Sequence, residues 1–469
     1  IGLGIDYSIQ FHNRYEEEQS VKKTLSNAGK AVAVAVLATV LGFVSLYISP
    51  VPMIQDFGKM LTIGVIISFI GSIFLLTPIL CLRDKTGGDD KAKNFLAKKD
   101  TPEKETLLDK ILQFTTKAVI KFAVPILIIV IGLSVAGFMA DKNVSVETDI
   151  ETFMPQDMDA LEDMHVVRDT VGSTDQIAIY MKADSILTEE NISWIQTKSK
   201  EIEEKYDGIV VKVNSIDALV ENLSSNKNLN HEEYIDIIDT LPKKMSSMFI
   251  NDEKTEAVIL LSIEHLPTED LQTFAAQLEN EIKDAPMEIH ITGKSILDIE
   301  MVNGLTSGRI KMTVLGLLLV FAALLVIYRN PIKALIPIFP VGLIVGMSSG
   351  IMYLLGIKFT PITATLGALV LGMGSEMTIM LLERYLEERK LGKGKHEAML
   401  IAVTMIGKAI VASGLTTVGG FSVLMLSEFV ILKDFGLMTV INISLALIST
   451  FVILPPVIIL FDKLILGKE

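Results

Sequence analysis

Gly2-Leu3-Gly4-Ile5-Asp6-Tyr7-Ser8-Ile9, running on to Arg14-Tyr15 and Glu17-Glu18, has a second copy in the same chain. That copy is Gly372-Met373-Gly374-Ser375-Glu376-Met377-Thr378-Ile379, running on to Arg384-Tyr385 and Glu387-Glu388. Each places one carboxylic acid inside an apolar segment and closes on an Arg-Tyr pair. A charged group at the centre of a membrane helix costs about 2.5–3.5 kcal/mol on insertion scales, so its presence points to function. In both copies the acid stands eight residues before the arginine, which is about 12 Å of helix. With each arginine at the inner edge of a hydrocarbon layer about 30 Å thick, both acids fall near its midplane.

The duplication extends beyond these motifs. Gly29-Lys30-Ala31 pairs with Gly407-Lys408-Ala409, and Leu37, Thr39, Gly42 and Phe43 pair with Leu415, Thr417, Gly420 and Phe421. Asp56-Phe57-Gly58 pairs with Asp434-Phe435-Gly436, and Pro78 with Pro456. The register shifts once, in the Lys390–His396 loop, where the second copy is longer. Two copies in the same orientation imply parallel repeats about an axis along the membrane normal. If the second copy starts at the fourth span it has six helices, with a soluble domain after its first. The chain opens at Ile1 inside an apolar helix, so three helices and a second soluble domain are expected ahead of it.

Half of the 469 residues are hydrophobic, gathered in blocks of the length that crosses a bilayer. The fold expected is a polytopic α-helical membrane protein with about nine of twelve spans present and an extracytoplasmic α/β domain. Its parts are 1–82, the end of the first-half bundle (helices equivalent to 4–6); 83–116, a cytoplasmic linker; 117–140, helix 7; 141–308, the soluble domain; and 309–469, helices 8–12. Lys/Arg clusters at 14–23, 83–85, 329–333, 384–395 and 463–468 fall on one side if the spans alternate, and the positive-inside rule makes that side cytoplasmic. Arg309 and Lys311 lie on the other side, against the trend. Residues 141–300 hold roughly 35 acids against roughly 13 bases and so face outside. That acidity argues against a nucleic-acid partner. Cys81 is the single cysteine, which leaves no intrachain disulfide and no cysteine-based metal site; the six histidines show no ligand spacing, and no cofactor is implied. The soluble domain reads as two βαβ-like units with helices over one face.

Two buried carboxyls near each other can take up and release protons near neutral pH, as a proton relay requires. The relay expected is Asp6, Tyr7 and Glu376, with Tyr7 offering its hydroxyl to the acid on the facing helix and Thr39 and Thr417 lining the path. Gly2, Gly4, Gly372, Gly374 and Ser375 leave room for the two helices to approach. Plainer readings stand beside these. Arg14 and Arg384 read as anchors reaching the interface, and Glu383, Glu387 and Glu388 as interfacial or solvated. Thr39 and Thr417 can bond their own helix backbone. Gly342, Gly346 and Gly350 read as a packing face.

On these residues the chain resembles the resistance-nodulation-division (RND) superfamily, and within it the hydrophobe/amphiphile exporters found largely in archaea, which are related to the mycobacterial MmpL and hopanoid transporters. The family's Gly-x-x-x-Asp-Tyr pattern stands at Gly2, Asp6 and Tyr7, its counterpart at Gly372 and Glu376, and its Gly-Phe after a threonine at Thr39/Gly42-Phe43 and Thr417/Gly420-Phe421. Phe153-Met154-Pro155 and Gly172-Ser173-Thr174-Asp175 open the soluble domain in family fashion. The resemblance implies a porter-type domain and proton-driven export of lipids or other amphiphiles across the cytoplasmic membrane, with membrane lipids and protons as partners and no enzymatic activity. Homo-oligomerisation is open. Glu376 replaces the family's aspartate and Met377 its tyrosine, so a symmetric pair of acid–tyrosine contacts is excluded. The alternatives are a SecDF-like protein-export accessory, a sterol-sensing protein, or an intramembrane aspartyl protease. The protease needs Gly-x-Gly-Asp, and Ile5 interrupts that pattern.

Overall fold

The computed structural model describes residues 2–86, 106–147, 149–171, 175–224 and 230–466. Most of the expected linker and the Gly172-Ser173-Thr174 motif lie outside these residues. The helices that matter below run as α1 (Gly2–Glu18), α2 (Val21–Val44), α3 (Pro52–Gly71), α4 (Thr77–Thr86), α5 (Leu107–Lys121) and α6 (Ala123–Ala140). The sheet-bearing part holds α7 (Asp159–Val171), α8 (Glu189–Lys205), α9 (Ile216–Leu223), α10 (His231–Thr240) and α11 (Thr268–Glu281). The rest is α12 (Lys294–Tyr328), α13 (Pro331–Leu355), α14 (Leu366–Lys390), α15 (Lys395–Ser422), α16 (Val430–Val452) and α17 (Leu454–Leu466). Among the described residues, eight helices, built on α2, α3, α6, α12, α13, α14, α15 and α16, are long and apolar enough to cross a membrane. The segment 117–140, read as one helix, is broken at Phe122 between α5 and α6.

The chain forms two compact units, Ile1–Glu147 with Gly304–Glu469, and Thr148–Asn303. In the first, α1 packs on α2, α2 on α14, α14 on α15, and α15 back on α1. These four helices make a ring with the acid-bearing α1 and α14 on one diagonal and the threonine-bearing α2 and α15 on the other. The span built on α14 is 94% buried, against 11% for α6 and 17% for α3. Thus α14 is the hub, and α3 and α6 turn their apolar faces outward, as membrane helices do.

The internal repeat is visible in detail. The turn after α2, Ser45–Ile48, has its counterpart after α15 at Val423–Leu426. A Cβ on Gly58 would meet Leu46 Cβ at 2.7 Å and Phe43 O at 3.1 Å; on Gly436 it would meet Leu424 Cβ at 2.7 Å and Phe421 O at 3.1 Å. The Asp-Phe-Gly motif is therefore kept in both copies by one close approach. Its phenylalanines meet, with Phe57 and Phe435 ring centroids 5.8 Å apart and edge-on. Downstream, copy one continues through a π turn (Ser72–Leu76), and copy two breaks between α16 and α17 at Ile453, both just ahead of proline. Elsewhere, Gly346 and Gly350 bring α13 onto Gly137 of α6, where a Cβ on Gly137 would stand 2.0 Å from Gly346 O. Gly342, read as part of that face, has open space beside it. Arg309, the outlier in the charge pattern, donates two hydrogen bonds to Asp141, at 2.8 and 2.6 Å, and lies 3.8 Å over the Phe359 ring. Its charge is cancelled in place.

The second unit carries a four-stranded sheet of β1 (Asp175–Lys182), β2 (Val210–Asn214), β3 (Glu256–Ile263) and β4 (Glu288–Thr292) in the order β2-β3-β1-β4. Every neighbouring pair is antiparallel, with Ile177 opposite Leu261 and Ile179 opposite both Ile259 and Ile291. The two βαβ units are present but interleaved: β3 lies between β1 and β2, and β1 between β3 and β4. Alternate residues, Ile177, Ile179 and Met181 with Ile259, Leu261 and Ile263, bury one face against Ile195 and Ile202 of α8 and Phe274 and Leu278 of α11.

Candidate functional site

The four-helix ring brings the sequence-predicted residues together. Asp6 is 5% exposed, Glu376 4% and Tyr7 1%. The two carboxyls lie within electrostatic reach of one another. Gln10, one turn after Asp6, donates from Nε2 to Glu376 Oε1 at 3.0 Å, and the Tyr7 hydroxyl faces the same carboxyl. The Tyr7 ring is held edge-on against Phe69, 6.0 Å between centroids. Thr417 points its hydroxyl at Asp6 Oδ1 (3.4 Å) and at its own helix, Ser413 O (3.0 Å). Thr39 does the equivalent for the other acid helix, reaching Gly372 O at 3.0 Å and Ala35 O at 3.1 Å. Each threonine thus bonds back onto its own helix, and across the ring Thr417 faces the Asp6 carboxyl while Thr39 faces only a backbone carbonyl.

The glycines do not act as expected. A Cβ on Gly4 would meet Ser68 of α3; on Gly372, Phe43 and Thr39 of α2; on Gly374, Val341 of α13 and Ala446 of α16. They bring the ring neighbours and flanking helices close, while α1 and α14 stay apart on the diagonal. The acids therefore meet across a gap spanned by side chains.

About two turns further along, Arg14 and Arg384 correct the anchor reading. They are 8% and 7% exposed. Arg14 pairs with Glu17 (3.1 Å) and Glu18 (2.8 Å) on its own helix and with Glu387 across the ring (2.5 Å). Arg384 pairs with Glu387 (3.1 Å) and Glu388 (2.9 Å) and crosses to Glu17 (2.6 Å). Each copy thus clasps the other through the same residues, and Glu388, read as interfacial or solvated, is 5% exposed. Spacing alone cannot show such a clasp. The signal was an arginine followed three and four residues later by acids in both copies. Nearby, Arg389 and Tyr385 hold Asp462, tying α14 to α17.

Between the clasp and the acids lies a cavity of about 440 Å³, walled by Gln10, Asn13, Met380 and Glu383 and rimmed by exposed Asn27 and Lys390. Among the described residues, no group of histidine, cysteine, aspartate and glutamate has the geometry to hold a metal ion.

The family model of the MMPL family matches residues 1–90 and 152–466. Over 350 residues, 72% of this chain and 90% of the relative, the chain is 26% identical to the membrane protein MJ1562 of Methanocaldococcus jannaschii. It is 26% identical to the apo-petrobactin exporter of Bacillus anthracis, over 39% of this chain and 26% of that protein. It is 25% identical to the sulfolipid-1 exporter MmpL8 of Mycobacterium tuberculosis, over 39% of this chain and 17% of that protein. Among solved structures, the hedgehog release protein Disp of the water bear Hypsibius dujardini superposes with a TM-score of 0.67 at 11% identity, over 97% of this chain and 62% of that one. The likeness to Disp is one of fold.

Proposed function

The chain belongs to the MMPL family, and on that footing we propose that it exports lipids or other hydrophobic and amphiphilic molecules, driven by protons passing through Asp6 and Glu376. It is a multi-pass membrane protein, and its exporter relatives place it among transporters rather than enzymes. The proton step rests on one observation: two carboxyls from the two repeats, each nearly sealed from solvent, sit across the diagonal of one ring with hydrogen-bonding side chains between them. Moving one charge through 100 mV releases about 2.3 kcal/mol. That is comparable to the cost of a buried charge, so loading and unloading this pair can switch how the ring packs.

In this reading the clasp end of the bundle faces the cytoplasm and residues 141–308 lie outside the cytoplasmic membrane as the porter domain. The cargo is taken from the membrane, consistent with a relative that exports a sulfolipid. The test is to identify amphiphiles that purify with the protein by mass spectrometry, then measure their release from proteoliposomes. Release that needs a proton gradient and stops in Asp6→Asn and in Glu376→Gln is expected. Release at the wild-type rate in both variants contradicts the proton-driven mechanism.

A further inference from the structure

The two acids are not equivalent, and the cavity shows how. Gln10 is 4% exposed, yet it forms part of the cavity wall, while Asp6, Tyr7, Thr417 and Glu376 do not. Its Nε2 is committed to Glu376. Its Oε1 is buried with no partner among the described residues, an arrangement that calls for water. An amide suits a carboxyl that gains and loses a proton. Its N–H donates to the ionised form and, turned over, its C=O accepts from the protonated form. The second repeat has Met380 at the equivalent position, also on the cavity wall, so Asp6 has no matching amide. Asp6 is served instead by the hydroxyls of Thr417 and Ser413, away from the cavity.

We propose that Gln10 is the port between the water of this cavity and the buried pair, so that Glu376 exchanges protons with the cavity side and Asp6 is reached only through Glu376. Gln10 is a positioning residue. It holds the Glu376 carboxyl toward the cavity and orders the water that hands the proton on. This rests on the relay proposed above and adds to it a fixed order of loading.

Gln10→Met keeps the volume and removes the amide, copying what the other repeat already has. In proteoliposomes, gradient-driven proton uptake by Gln10→Met should fall about tenfold, the factor carried by one hydrogen bond to a charged group, with cargo binding unchanged. A water-soluble carbodiimide applied from the cavity side should modify Glu376 about tenfold more slowly in this variant, with Asp6 unaffected. A purely structural role would disturb both acids alike. Wild-type uptake in Gln10→Met, with uptake abolished in Glu376→Gln, overturns the port and leaves the relay standing. Wild-type uptake in both Glu376→Gln and Asp6→Asn overturns the relay itself. Should Gln10→Met fail to fold, Gln10→Cys in a Cys81→Ser background decides. Reaction with a membrane-impermeant thiol reagent from the cavity side supports the port, and no reaction overturns it.

Discussion

Replacing Arg384 leaves Glu388 buried without its cation and removes the cross-link to Glu17. Removing one partner of a buried pair is costly, but Glu17 and Glu387 are about a third exposed, at 29% and 36%. After that discount Arg384→Gln should destabilise the bundle by about 1–3 kcal/mol. Lys59→Gln, which breaks only the exposed pair with Asp56, should cost less than about 0.5 kcal/mol. Thermal unfolding of the two variants side by side checks the difference. In the second unit, burial holds the Asp217 carboxyl above its ordinary value of 3.8, Glu221 adds repulsion, and the Gln196 hydrogen bond offsets only part of this. A native value above the unfolded one means the folded state binds the proton more tightly. That unit should therefore lose stability as pH rises from the unfolded value through the folded one, and remain less stable above it. Asp217→Asn should flatten that slope. Trp194, the single tryptophan, lies on α8 in this unit and reports its unfolding by fluorescence. At the residue scale the acids, Tyr7 and the threonines could be read from the sequence, because an acid in an apolar block stands out. Gln10 could not, since a lone glutamine within a helix carries no signal until its partner is placed. Nor could the clasp, since Arg14 and Arg384 each look like an interface anchor when taken alone.

Among the elements, glycine positions separate the packing that matters from the packing that does not. Gly346→Ala would press a Cβ to within 2.6 Å of the Phe138 ring and of Ser134 O, while Gly342→Ala meets nothing within 4 Å. The first should cost about 1–3 kcal/mol and loosen α13 from α6, and the second should be neutral. Chemical unfolding of the paired variants distinguishes them. The spans were legible because their length and apolarity are set by the bilayer. The sheet was legible as four strands and covering helices, but not in its order. Alternation fixes which face of a strand is buried, and says nothing about which strand lies beside which. The placement of the motif glycines was misjudged for a related reason. A small residue announces a close neighbour without naming it, and here the neighbours are α2, α3, α13 and α16.

At the scale of the whole molecule, the duplication organises the bundle. Repeated glycines, repeated turns and reciprocal arginine clasps place α1 and α14 as counterparts on one diagonal. The membrane orientation we propose has its own test. A membrane-impermeant amine reagent applied to intact cells should label lysines of the 141–308 segment and spare Lys393 and Lys395; the reverse pattern would invert the assignment. The central claim is that Asp6 and Glu376 carry the protons. Infrared difference spectroscopy of the purified protein on a pH step reads this directly, through the stretch of a protonated carboxyl group. If these two carboxyls titrate, the band is diminished in Asp6→Asn, diminished in Glu376→Gln and absent in the double variant. A band of unchanged intensity in the double variant would contradict it.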